Sequence, residues 1–227
     1  MELAVRRRFF AEELEAVCAL RSPALVEALA AVPRERFLPP GPWTVLVQNV
    51  QNDIGMGGVQ TRMTPDADPA RVCHNIGVAI DAPRQLFNGH PGTIAPWLDA
   101  LGLAPAARVL HVGCGLGYYT AIVAHIVGPA GRVVAYEVDA ALAGAAREQL
   151  ASYPWVDVRR GDASGVLGRP DDQFDAILVN AGLSHPPGTW LDAMAPGARR
   201  AAPDQHDAGH GQYRQGAGRH ADHAAGG

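Results

Sequence analysis

Between Arg108 and Asn180 short apolar runs alternate with helical patterns, and that alternation leaves few folds open. Arg108–Val112 is an apolar run stopped by Gly113, the pattern of a strand buried on both faces. Tyr119–Val127 is apolar nearly all round and predicts a buried helix. Arg132–Val138 reads as a second strand, Ala140–Ala151 as an alanine-rich helix, and Val156–Arg160 and Phe174–Val179 as a third and fourth strand. A loop and a brief helix near Trp190–Met194 follow. Units of this kind build an α/β fold, a Rossmann-like, doubly wound parallel sheet with right-handed crossovers.

The flanking zones have a different texture. Phe10, Leu14, Val17 and Cys18 recur at helical spacing, and Ser22-Pro23 starts a second helix whose stripe is Leu25, Leu29 and Val32. Residues 41–88 are broken by Pro, Gly, Asp and Asn; only 44–50 and 78–80 look strand-like, so the stretch reads as a loop-rich cap or insertion. Residues 198–227 contain no Val, Ile, Leu, Met, Phe or Trp, and a segment with so little to bury is expected to be disordered. The change of composition after Gly197 is what a shifted reading frame would leave. It predicts that the C-terminal strands are missing and that the fourth strand has an open edge. The expected organisation is therefore 1–88 helices and cap, 89–197 core, and 198–227 tail.

Composition narrows the function. The chain of 227 residues is 48% hydrophobic and 19% charged, enough to bury a core. Its formal net charge of −4 argues against nucleic acid or an anionic membrane as partner. No apolar run is long enough to span a bilayer, and Arg6-Arg7-Arg8 precede an amphipathic, glutamate-bearing segment rather than a signal sequence, so a cytoplasmic location is expected. Cys18, Cys73 and Cys114 are far apart and form no metal-binding pair; they read as reduced thiols. His206 and His210 in the tail have no fixed partners, and no metal is expected.

Chemistry concentrates at His111-Val112-Gly113-Cys114-Gly115-Leu116-Gly117-Tyr118, a strand running through a glycine turn into a helix. Gly113, Gly115 and Gly117 let a ligand approach the backbone, at the carboxyl end of a strand where open sheets bind ligands. Two nucleotide cofactors compete for such a turn. A dinucleotide prefers glycine where Tyr118 stands, so S-adenosyl-L-methionine suits the turn better. Glu137, followed by Val138, closes the second strand where a carboxylate can accept both hydroxyls of a ribose. Asp162 and Ala163 follow the third strand, where they can flank an adenine.

These residues resemble the cofactor core of the class I S-adenosylmethionine-dependent methyltransferases. Val-Pro-Arg-Glu-Arg-Phe-Leu-Pro at 32–39 narrows the likeness to the protein-L-isoaspartate O-methyltransferase family. The resemblance implies that Gly113, Gly115 and Gly117 bed the methionine portion, that Glu137 holds the ribose, that Asp162 and Ala163 flank the adenine, and that Asn180 borders the methyl-transfer position. Two departures stand out. Gly89-His90-Pro91 lacks the hydroxyl of the family's Ser-x-Pro segment, and His111 replaces a family acid, which suggests a place in the cofactor shell. The acceptor is then a carboxylate or another oxygen or nitrogen nucleophile on a small molecule or a protein or peptide. If that acceptor needs a base, His90 and His185 are the candidates. A cofactor-binding protein without turnover and an NAD-dependent oxidoreductase are the alternative readings.

Overall fold

A computed structural model describes residues 2–47, 60–165, 173–182 and 187–201. Its centre is a five-stranded, wholly parallel sheet in the order β7-β6-β5-β8-β9, formed by β5 (Arg108–Val112), β6 (Arg132–Glu137), β7 (Val156–Arg160), β8 (Phe174–Val179) and β9 (Met194–Ala201). The alternation of strand side chains divides the core in two. Val109, Val133, Ala135, Ala176 and Leu178 pack with α4 (Tyr118–Val127), whereas Leu110, Val112, Val134, Ile177 and Val179 pack with Trp190 of α6 (Gly188–Asp192). Burial on both faces is why β5 and β8 are apolar apart from His111 and the strand-start residues Arg108 and Asp175.

Local chemistry sets the helix ends. The Ser22 side chain accepts from the Leu25 amide at 3.3 Å, with Pro23 in the first turn, and opens α2 (Pro23–Ala31). Preceding it, α1 (Leu3–Cys18) begins earlier than its apolar spacing indicates. Asp99 of α3 (Pro91–Leu101) accepts from the Arg21 and Ser22 amides at 3.0 and 2.8 Å and so fixes the second helix against the core. The Asp139 side chain accepts from the Ala141 and Leu142 amides and caps α5 (Ala140–Gln149). Among the described residues no helix is long and apolar enough to cross a membrane.

Two expectations are corrected. Residues 198–201, assigned to a disordered tail, belong to β9, which pairs with β8 through Ala176↔Arg199, Ile177↔Arg200 and Leu178↔Ala201. An edge strand needs backbone pairing more than apolar side chains, and of its residues only Ala201 is buried. Among the described residues the sheet therefore ends on this side at β9, not at β8. Residues 202–227 lie outside the described residues. The described residues of the stretch 41–88, namely 41–47 and 60–88, also carry more paired strands than the two strand-like runs expected there, and residues 48–59 lie outside the described residues. Strands β1 (Thr44–Leu46) and β2 (Thr61–Met63) form one antiparallel pair, β3 (Ala79–Asp81) and β4 (Leu86–Phe87) another, joined by a bridge between Val45 and Val78. Leu38, Trp43, Val45, Val72 and Val78 give this cap its own small core.

Candidate active site

The turn after β5 is strapped to β6 by its own amides. Gly113 and Cys114 donate to the Tyr136 carbonyl at 2.9 and 3.1 Å, and Gly115 donates to Glu137 Oε2 at 2.8 Å. Gly113 has φ +77°, and a Cβ built there would stand 2.8 Å from the Asn180 carbonyl oxygen, so strand β8 closes on the turn only because the side chain is absent. Glu137 is 7% exposed. Its Oε2 accepts from Gly115 and its Oε1 from the Asp139 amide at 3.0 Å. Each oxygen thereby spends one acceptor site on the backbone and keeps capacity for a further donor, the requirement for holding a vicinal diol.

Above the carboxyl ends of β5, β6, β7 and β8 lies a cleft of about 500 Å³, within the range of small-molecule sites. Gly113, Gly115, Gly117, Glu137, Val138, Asp162, Ala163 and Asn180 all line it. Asp162 Oδ1 accepts from the Ser164 amide at 2.8 Å, and bonds from Ser164 hold its carboxyl below the usual range. The Ala163 carbonyl accepts from Trp190 Nε1 at 2.6 Å, which anchors this loop on α6.

Two predicted residues fall elsewhere, and a third is not among the described residues. His111 is fully buried, does not line the cleft, and places Nδ1 2.8 Å from Thr120 Oγ1 of α4; burial pushes its pKa down to about 3. Strand alternation turns it toward the helix layer with Val109, so a cofactor-shell role does not fit its position. His90 precedes α3, is not among the lining residues, and has its pKa lowered first by burial and then by Arg34. His185 lies outside the described residues.

The cleft also takes residues that sequence patterns missed. Phe37, Ile80, Leu86, Phe87 and Asn88 cover it from the N-terminal side. Arg84, between β3 and β4, bonds Asp81 Oδ2 at 2.7 Å and Asp139 Oδ2 at 2.5 Å, tying this cover to the turn after β6. The run Val-Pro-Arg-Glu-Arg-Phe at 32–37 could have signalled Phe37. Strands of two and three residues give no comparable signal for the rest.

The donor set decides which cofactor fits. Among the described lining residues, Glu137 and Asp162 are the only charged side chains; Arg and His are absent from the wall. Among these described residues a pyrophosphate would meet two carboxylates and no cation, whereas a sulfonium with an adenosyl group meets charge of opposite sign, a diol acceptor and apolar Val138 and Ala163. Tyr118 contributes less to this choice than its place in the turn suggests: its ring is buried, with Phe37 at 6.1 Å between centroids and the Arg34 guanidinium 5.7 Å from its centre.

A parallel sheet with this glycine turn, strand-end carboxylate and acidic cleft defines a class I S-adenosylmethionine-dependent methyltransferase. Residues 72–225 match the family model of protein-L-isoaspartate(D-aspartate) O-methyltransferase. The chain belongs to that family. It is 31% identical over 210 residues to the protein-L-isoaspartate O-methyltransferase of Methanopyrus kandleri, covering 88% of this chain and 78% of the relative. With that of Aeropyrum pernix it shares 32% identity over 196 residues, covering 85% and 64%. Among solved structures, one protein-L-isoaspartate O-methyltransferase superposes with TM-score 0.60 at 21% identity, covering 90% of this chain and 57% of that one. A Plasmodium falciparum structure assigned the same activity, in complex with S-adenosyl-L-homocysteine, superposes with TM-score 0.64 at 17% identity, covering 89% and 85%. At such identities the structures establish the shared fold.

Proposed function

We propose that this chain esterifies a carboxylate of a protein or peptide, with an isoaspartyl residue as the acceptor. One observation carries the reading. Among the described residues on the side of the cleft formed by β8 and the loop before α3, the polar lining residues are Asn88, Tyr119 and Asn180; of the two histidines offered as a base, His90 does not line it and His185 lies outside the described residues. A hydroxyl or amine acceptor needs a base to take its proton, whereas a carboxylate is already a nucleophile at neutral pH. Family membership points to the same acceptor class.

Within this reading the residues divide the work. S-adenosylmethionine, when bound, supplies a methyl group made electrophilic by its sulfonium. Glu137 would hold the ribose, Asp162 and Ala163 the adenine end, and the turn of Gly113, Gly115 and Gly117 the methionine portion. The Tyr119 hydroxyl donates to the Gly89 carbonyl at 3.2 Å and fixes the loop bordering the acceptor side. Ile80, Leu86 and Phe87 would shield the reacting groups from water, which strengthens the electrostatic interactions in the site.

The test is methyl transfer from methyl-labelled S-adenosylmethionine to an isoaspartyl peptide and its aspartyl isomer. Label on the isoaspartyl peptide that is released by mild base, as an ester is, supports the proposal. Base-stable label on an amine or hydroxyl, or no transfer to either peptide, overturns it.

A further inference from the structure

Among the described residues six large apolar side chains are exposed, and three of them, Val5, Phe9 and Val17, lie on α1. The helix turns Phe10, Ala11 and Leu14 into the core. At about 100° per residue the opposite face is centred on Val5, Phe9 and Ala16, with Glu12 beside them. Phe9 is 64% exposed, and no residue of α1 lines the cleft. A helix that packs through one face alone keeps the other polar, so an outward phenylalanine and valine one turn apart mark a surface that takes a cover.

The charges on α1 identify that cover. Arg6, Arg7 and Arg8 stand in its first half and Glu12, Glu13 and Glu15 in its second; its first turn holds no acid and its last no base, the reverse of what the helix dipole favours. Arg7 and Arg8 pair with Glu35 and Glu27 at 3.1 and 2.6 Å, whereas Arg6, Glu12, Glu13 and Glu15 form no ion pair among the described residues. Helical spacing puts Arg8 and Glu15 on one flank of the apolar stripe, and Arg6 and Glu13 on the other. A second copy laid antiparallel about a two-fold axis at the helix midpoint, between Phe10 and Ala11, sets each flank against its own counterpart. Arg8 then meets the second copy's Glu15, Arg6 its Glu13 and Val5 its Ala16, while the two Phe9 rings straddle the axis. Opposite dipole ends also come side by side. A parallel copy would instead set Arg8 against Arg6 and Glu15 against Glu13, and an anionic lipid surface would meet the glutamates.

We infer that the outward face of α1 is a contact between two copies of this chain, joined antiparallel about a two-fold axis. The contact lies apart from the cleft and holds whatever the acceptor is. One helix pair falls at the small end of protein interfaces, so the dimer exchanges with monomer, and its flanking charges make it weaker at high salt.

Sedimentation equilibrium of the full chain and of Arg6→Glu and Glu13→Arg tests this. The parent's mass should rise from one chain toward two with concentration. Each variant sets like charges together twice per dimer and should associate about tenfold more weakly or worse. An equimolar mixture of the two variants restores both pairs with their signs exchanged and should associate like the parent, which a parallel arrangement does not allow. A parent that stays monomeric to about 300 µM overturns the inference, including the case in which it binds vesicles of phosphatidylcholine and phosphatidylglycerol, which would give the face to a membrane. Dimerisation that neither variant weakens overturns it too, as do two weakened variants whose mixture stays monomeric. Circular dichroism checks that the variants fold; should either fail, Phe9→Ser must by itself weaken association about tenfold or more, and unchanged association defeats the inference.

Discussion

Replacing Glu137 by glutamine separates ribose binding from the integrity of the turn. In the parent, one carboxylate accepts the Gly115 amide at 2.8 Å and the Asp139 amide at 3.0 Å while 7% exposed. Glutamine retains one oxygen and sets an NH2 against the other backbone donor. One buried N–H is then left without a partner, which costs roughly 1–3 kcal/mol of stability. Binding is lost separately, since a hydrogen bond to a charged acceptor contributes roughly 1.5–3 kcal/mol net. At about 1.4 kcal/mol per decade, S-adenosylmethionine should bind roughly 10- to 150-fold more weakly to the variant. Calorimetric titration of both proteins, performed well below the variant's thermal midpoint, reads the ratio. A folded Glu137→Gln protein with unchanged affinity would refute the assignment of the diol to this carboxylate. Glu137→Ala is the poorer probe, because it strips the acceptor from both amides and mixes folding with binding.

Three further outcomes follow from the same geometry. His111 in the unfolded chain takes up a proton near its ordinary pKa, whereas burial in the fold holds it neutral down to about 3; stability should therefore fall as pH drops below about 6.5, by up to roughly 1.4 kcal/mol per pH unit, and His111→Leu should flatten that slope in thermal melts between pH 6.5 and 4.5. Gly89→Ser places a side chain at φ +77° with its Cβ 3.2 Å from Ile94 Cγ1 and 3.3 Å from Tyr119 Cε2, so denaturant unfolding should show a loss of about 1–3 kcal/mol and the peptide assay no gain in turnover. Arg84→Gln severs the link between the β3–β4 cover and Asp139; stopped-flow should show S-adenosylmethionine leaving a few-fold faster at low salt, with the difference closing at high salt, and a salt-independent difference would contradict a role for this ion pair.

The core was legible because its signals are local. The run Arg108–Val112, the stop at Gly113 and the carboxylate closing Arg132–Glu137 lie within 30 or so residues, and burial on both faces gives β5 and β8 the near-continuous apolar runs that mark central strands. What escaped the sequence is long-range. The β3–β4 cover is held by a bridge from Val45 to Val78 and by Arg84 reaching Asp139. Asn88 Oδ1 accepts from Arg34, 54 residues earlier, and an Asn-Gly pair read alone signals only a turn. Strand β9 escaped because composition reports what side chains can bury, while an edge strand is held by main-chain bonds. Alternation along β5 could have turned His111 away from the cleft, since its neighbours Leu110 and Val112 face the opposite layer.

The most direct test of the account is a crystal structure of this chain with S-adenosyl-L-homocysteine. The ribose hydroxyls should lie within hydrogen-bonding distance of the Glu137 carboxylate, the adenine beside Asp162 and Ala163, and the thioether toward Asn180. Density for the ligand outside the turn between β5 and α4, or a Glu137 carboxylate that leaves Gly115 and Asp139 without touching the ribose, would contradict it.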